Sequence, residues 1–70
     1  MDIVMKIKLA ETYSGITEAE LARRLGYKSQ QAFAQRMKTG KFTGEELSRI
    51  ASALGASYTC FFEFPDGTKF

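Results

Sequence analysis

Glycines divide the first 55 of the 70 residues into four short segments, each with the apolar spacing of an amphipathic helix. A glycine that follows such a pattern favours the left-handed backbone conformation that ends a helix. Two of the segments also open with the same signal, because Thr17 is followed three residues later by Glu20, and Thr43 by Glu46. This spacing is typical of the capping box at a helix start. The sequence therefore predicts four helices that stop at Gly15, Gly26, Gly40 and Gly55.

The polar residue before each segment and the apolar residues within it predict the caps and the core of one domain over residues 1–55. Asp2 can cap a first helix from Ile3 to Tyr13, the second helix begins at Thr17 or Glu18, and Ser29 can cap the third. The expected core consists of Ile3, Ile7, Ala10, Leu21, Ala22, Leu25, Phe33, Met37, Leu47, Ile50, Ala51 and Leu54, and Val4 and Met5 widen the apolar stripe of the first helix. The fold class predicted for this part is mainly α, with four helices.

Residues 56–70 have a different pattern, in which apolar residues alternate as in a β-strand. One face of this strand would carry Tyr58, Cys60, Phe62 and Phe64, and the turn signal at 65–68 would let a return strand begin at Lys69. A short chain buries limited surface, and an exposed aromatic strand edge invites pairing with another chain. We therefore expect a β-strand or hairpin that packs on the same domain and forms a homodimer interface through those four aromatic and thiol side chains.

The composition excludes several kinds of site. The chain has no His and a single Cys, so a Cys/His zinc site, a His-activated nucleophile and an intrachain disulfide are impossible within it. Capping accounts for the Thr17/Glu20 and Thr43/Glu46 pairs without an active site. No apolar run approaches the length of a membrane span. We expect a cytoplasmic, nucleoid-associated protein that is not an enzyme and has no metal, cofactor or small-molecule effector.

Positive charge is concentrated in the middle of the chain. No Asp or Glu lies between Leu21 and Gly44, a stretch that we call the basic segment, although the net charge of the whole chain is only +2. Its cations are Arg23, Arg24, Lys28, Arg36, Lys38 and Lys41. Such a cluster favours a polyanion-binding surface, with an ordinary solvated face as the alternative. Arg23 and Arg24 could instead only stabilise the C-terminal end of their helix.

Two short helices joined by a tight turn with Gly26, within a basic four-helix domain, have the outline of a helix-turn-helix DNA reader. The residues 17–26, the Gln-rich third helix and the segment 42–55 also resemble the lambda-type repressor and Cro (XRE) helix-turn-helix family. The most specific parts of this resemblance are the Ala22 and Gly26 pair and the Ile-Ala-x-Ala-Leu-Gly ending of the fourth helix. The resemblance covers roughly residues 3–55, and the segment after it is similar to the short strands through which Cro-like regulators dimerise.

The resemblance implies that the third helix enters the major groove and that Phe33 is buried. The implied base contacts are Ser29, Gln30, Gln31 and Gln35, and the expected phosphate contacts are Lys28, Arg36, Lys38 and Lys41. Glutamine can bind adenine through two hydrogen bonds, although it is also simply a good helix former. The chain departs from the family pattern at Arg36, where an apolar residue is common and Met37 replaces it, and by one extra residue between Gly26 and Phe33.

The resulting functional prediction is a dimeric, sequence-specific regulator of transcription of the phage or prophage type that represses by occupying an operator in double-stranded DNA. Its two recognition helices would enter major grooves about 34 Å apart. One alternative is a protein-interaction or antitoxin-like adaptor that uses the exposed strand to capture a partner. Another is a nonspecific architectural DNA-binding protein, whose binding would depend steeply on salt and little on sequence.

Overall fold

The computed structural model describes residues 2–59 and 62–70. Four helices account for most of them, namely α1 (Ile3–Ser14), α2 (Glu18–Arg24), α3 (Gln30–Lys38) and α4 (Gly44–Ala53). The predicted mainly α, four-helix domain is confirmed, and each helix lies where the glycine and capping signals placed it. Within the described residues, no helix is long and apolar enough to cross a membrane.

The helix starts follow the predicted caps. Asp2, Thr17, Ser29 and Thr43 each accept a hydrogen bond from the backbone N–H three residues on, at 2.8 to 3.1 Å. Only α4 has a complete capping box, in which the Thr43 N–H also donates to Glu46 at 2.9 Å. In the capping box predicted for α2, only the hydrogen bond from the Glu20 N–H to the Thr17 hydroxyl is formed. The Glu20 carboxylate instead accepts hydrogen bonds from two arginines one turn further along α2.

The turn between α2 and α3 depends on a glycine. Gly26 has a φ of 86°, in the left-handed region that other residues rarely adopt. This conformation lets the Tyr27 N–H return to the Ala22 carbonyl at 3.0 Å, which satisfies the end of α2. The chain then reaches the Ser29 cap after only two intervening residues, so α2 and α3 lie close together with a fixed short connection.

The core lies where the four helices meet and is centred on Leu21 and Phe33, which are fully buried. The Phe33 ring packs against the Tyr27 ring with a centroid distance of 5.1 Å. Of the twelve residues predicted for the core, eight are buried, namely Ile7, Leu21, Ala22, Phe33, Met37, Ile50, Ala51 and Leu54. The other four, Ile3, Ala10, Leu25 and Leu47, are partly buried against them, as is Val4, whereas Met5 is 50% exposed. Helix α3 is therefore attached to the domain by Phe33 and Met37.

The chain after α4, which we call the C-terminal arm (residues 56–70), differs from the prediction. Every described residue in it is exposed, and none belongs to the core. The described residues of the arm thus show no contact with the core, and its packing on the same domain stays a prediction. The described residues contain no strand, only an isolated antiparallel bridge between Glu63 and Lys69 around a turn at 65–68. Two such short segments bury too little apolar surface to form a stable sheet by themselves.

Candidate nucleic-acid interface

The outward face of α3 carries a stripe of polar side chains. Gln31, Gln35 and Lys38 are spaced four and three residues apart, which places them on one side of the helix. All three are exposed, whereas Phe33 and Met37 on the other side are buried. We call Gln31, Gln35 and Lys38 the α3 stripe. A helix with one side in the core and an uninterrupted polar stripe outside is free to present that stripe to a ligand.

The first turn of α3 carries the other two predicted base contacts. The Ser29 hydroxyl accepts a hydrogen bond from the Ala32 N–H at 3.1 Å, so it caps the helix and keeps its own proton available for donation. Gln30 is exposed, but at about 100° per residue its direction differs from that of Gln35 by roughly 140°. The structure therefore places Gln31 and Gln35 on one side of α3, whereas Gln30 faces a different direction.

The two arginines of α2 are occupied by an acid from their own helix. Arg23 and Arg24 both donate to the Glu20 carboxylate, Arg24 through its Nε at 2.8 Å. Arg24 also donates through Nη1 to the Ala53 carbonyl at 2.8 Å, which links α2 to the C-terminal end of α4. These hydrogen bonds lower the pKa of Glu20 from 4.5 to about 2. The Glu20 charge therefore offsets part of the basic segment at neutral pH.

Arg36, predicted to contact phosphate, has an intramolecular set of partners. Its Nε and Nη2 donate to the two oxygens of Glu46 at 3.0 and 2.6 Å, and its Nη1 donates to the Thr39 hydroxyl at 2.7 Å. The guanidinium also lies over the Phe42 ring, 4.7 Å from its centroid. These contacts use three of the five guanidinium N–H donors within the domain. They also lower the pKa of Glu46 to about 2.

The lysines of the basic segment are placed differently. Lys28, Lys38 and Lys41 are exposed, and none of them forms an ion pair with a described residue. They lie before α3, in its last turn and in the loop after it. Within the basic segment, the cations without an ion pair to a described residue therefore lie around α3, whereas in the sequence the positive charge is spread over the whole segment.

The sequence did not predict the role of Glu46. Its capping function was evident from the Thr43 spacing, but its bidentate contact with Arg36 joins residues ten positions apart across the α3–α4 loop. The only available signal was that Arg36 stands where an apolar residue is usual in the resembled family. An arginine at a half-buried position requires an acidic partner, because an unpaired charge there loses hydration without compensation.

A cleft of about 260 Å³ opens between the α2–α3 turn and α4. Its walls include the rings of Tyr27, Phe33 and Phe42, together with the polar side chains Glu46 and Arg49. It is smaller than the pockets that usually hold small organic ligands. The described residues contain no group of three His, Cys, Asp or Glu side chains that could hold a metal ion.

The C-terminal arm exposes several aromatic rings. Of the predicted dimer contacts, Phe62 is 78% exposed, Phe64 51% and Tyr58 38%, while Cys60 lies outside the described residues. Phe64 packs edge-on against Phe70, with ring centroids 5.6 Å apart. Phe70 was not among the predicted contacts, although it follows the turn and is 74% exposed. The arm thus presents a three-phenylalanine surface that has no cover in the monomer.

No family model, curated protein or solved structure matches this chain. The geometry of α3 and its surroundings is therefore the basis on which a function can be argued.

Proposed function

We propose that the protein is a sequence-specific regulator of transcription that binds double-stranded DNA as a homodimer, with α3 in the major groove. The observation that carries this proposal is the exposed α3 stripe, held on a helix whose opposite side is fixed in the core by Phe33 and Met37. Two glutamines one turn apart can each offer an amide donor and acceptor to base edges. This is the chemistry by which glutamine distinguishes adenine in the major groove.

The unpaired lysines support the same orientation. Lys28, Lys38 and Lys41 surround the reading face, where the phosphate backbones pass on either side of a helix in the groove. Ser29, Gln30 and Lys38 can add contacts to bases or phosphates at the two ends of α3. Arg36 is omitted from this proposed contact set because Glu46, Thr39 and Phe42 already engage its guanidinium.

Dimerisation through the C-terminal arm would explain its exposed aromatic rings. Two copies that bury Phe62, Phe64 and Phe70 against each other would remove three large apolar side chains of each copy from water. Symmetric pairing would also present two copies of α3 to successive major grooves of a palindromic operator. Occupation of such an operator would exclude polymerase, which is the simplest route to repression.

The experiment that tests this proposal is selection of bound duplexes from a randomised pool at physiological salt. An enriched inverted repeat with half-site centres about 10 base pairs apart is the expected result. Changing both Gln31 and Gln35 to Ala should reduce binding to the selected duplex by tenfold or more, at roughly 1 to 3 kcal/mol for each lost bidentate contact, and leave weak binding to random DNA unchanged. Equal loss on both duplexes would contradict base reading by the stripe.

A second candidate function is an adaptor that binds a partner protein through the C-terminal arm. The exposed phenylalanines favour it, because a large uncovered apolar surface often marks a protein interface. Replacement of Lys38 and Lys41 by Glu distinguishes the two functions. It should abolish DNA binding by a regulator and leave protein capture by an adaptor intact.

A further inference from the structure

The contacts of Arg36 join three parts of the domain. Arg36 lies two residues before the end of α3, Glu46 belongs to the first turn of α4, and Thr39 belongs to the loop between them. The Thr39 hydroxyl, besides accepting from Arg36, donates to the Arg36 carbonyl at 2.8 Å and accepts from the Lys41 N–H at 3.2 Å. The guanidinium thus holds both the end of α3 and the backbone that carries Lys41.

Glu46 has a double task in this arrangement. One of its oxygens, Oε1, accepts from the Thr43 N–H at 2.9 Å and from Arg36 Nη2 at 2.6 Å. The same carboxylate therefore caps the start of α4 and forms the ion pair that fixes α3. Both side chains are partly shielded, with Arg36 30% and Glu46 22% exposed, so salt and water weaken this pair less than a fully exposed one.

We propose that Arg36 and Glu46 are positioning residues that set the direction of α3 and the place of Lys41 for DNA reading, and that Arg36 makes no phosphate contact of its own. This inference rests on the proposed function. It assigns a specificity role to two residues that would otherwise be assigned to phosphate binding and to helix capping alone. The ion pair is buried enough to hold one arrangement of the α3–α4 loop, and the lysines on either side of it supply the charge.

Glu46→Gln is the sharpest variant, because the glutamine carbonyl oxygen can keep the capping hydrogen bond from the Thr43 N–H. Its NH2 group replaces the oxygen that accepts from Arg36 Nε, so the variant loses the negative charge and that hydrogen bond. If Glu46 affects DNA only through its charge, removal of that charge should strengthen binding. If Glu46 positions α3 and Lys41, the same change should weaken binding. We expect Glu46→Gln to lower affinity for the selected duplex about tenfold, within the range found for residues in one hydrogen-bonded network, and to change binding to random DNA little.

Arg36→Gln and Lys38→Gln form a matched pair, since both remove one positive charge from the end of α3. Lys38→Gln should reduce the slope of log affinity against log salt by about one, as expected for a lost phosphate contact. Arg36→Gln should leave that slope unchanged and reduce the ratio of specific to random binding. The exchanged double variant Arg36→Glu/Glu46→Arg should recover part of that ratio. A salt slope for Arg36→Gln as low as that of Lys38→Gln, with tighter binding by Glu46→Gln, would overturn the inference.

A measurement on the free protein separates failure of this inference from failure of the proposed function. We expect Glu46→Gln to shift the amide NMR signals of Thr39 and Lys41 and to speed exchange of the Arg36 Nε–H, while the Phe33 amide stays unchanged. Unchanged signals at Thr39 and Lys41 would refute positioning whether or not DNA binds. Shifted signals in a protein that retains no duplex would support positioning of the loop and reject DNA binding as the function.

Discussion

The helical domain and the C-terminal arm use the same aromatic residues with opposite results. Phe33 in α3 is fully buried, whereas Phe62 in the arm is 78% exposed. The difference comes from their neighbours, because Phe33 lies in a core to which all four helices contribute, whereas the arm has only its own short return segment to pack against. An apolar pattern is therefore sufficient for burial only where the same chain supplies a second surface.

The largest expected effect is on the stability of the helical domain. Phe33→Ala should reduce the free energy of unfolding by about 3 to 5 kcal/mol, because it removes the side chain at the centre of the core. Phe62→Ala should change it by less than about 0.5 kcal/mol in the monomer, as is usual for an exposed position. Urea denaturation at low protein concentration measures both. Similar losses for the two variants would mean that the arm shares the core after all.

The next effect concerns association. The double variant Phe62→Ser/Phe70→Ser should convert the proposed dimer into a monomer in sedimentation experiments and remove the dependence of its melting temperature on concentration. Tyr13→Ser is the matched control, since Tyr13 is 95% exposed on α1, outside the arm, and should leave the dimer intact. A dimer that survives the double variant would show that association uses another surface.

A buried carboxylate in α1 makes the stability of the helical domain depend on pH. Burial raises the pKa of Glu11 from 4.5 to about 6, with a further rise from Glu18 that Lys8 opposes. Its Oε2 atom is buried and has no hydrogen-bond partner among the described residues. The folded chain thus holds the proton more tightly than the unfolded chain. This stabilisation is fully present below pH 4.5 and is lost as the pH rises through about 6.

Replacement of the Glu11 carboxyl tests the direction of this pH effect on stability. Glu11→Gln should stabilise the protein at pH 7 to 8 by about 1 kcal/mol, a value reduced from the full pKa shift because water still screens part of the group. Below pH 4.5 the variant and the parent protein should have equal stability. Thermal unfolding across this pH range is the measurement, with the exposed Glu45→Gln as control. A gain that persists at pH 4 would assign the effect to packing and exclude the proton as its cause.

Two glycines with similar φ angles allow a direct comparison of the helical domain with the C-terminal arm. Gly26 and Gly67 have φ values of 86° and 89°, and a Cβ atom at either position would meet open space. An alanine is therefore strained by about 1 kcal/mol at each. Only Gly26→Ala should lower the free energy of unfolding of the helical domain, because Gly67 lies in the uncovered arm. Equal losses for the two variants in urea denaturation would indicate that the arm and the domain unfold as one unit.

Capping and periodicity signals in the sequence predicted more of the helical domain than of the candidate nucleic-acid interface. The Asp2, Thr17, Ser29 and Thr43 caps and the glycine stops are set by residues within a few positions of one another, so the sequence was sufficient for them. The buried positions Phe33 and Met37 followed from helical periodicity in the same way. Exposure of the predicted glutamines also followed, since they occupy the remaining faces of α3.

The amino-acid sequence by itself determined the four helices, their ends and the residues that fill the core, because capping and periodicity act over one or two helical turns. Only the tertiary structure decided how the charges are used. It paired Arg36 with Glu46 across a loop, occupied Arg23 and Arg24 with Glu20, and left Lys28, Lys38 and Lys41 without acidic partners among the described residues. It also left the arm uncovered. Ion pairs and packing surfaces depend on which elements meet in space, and local capping and periodicity do not determine that.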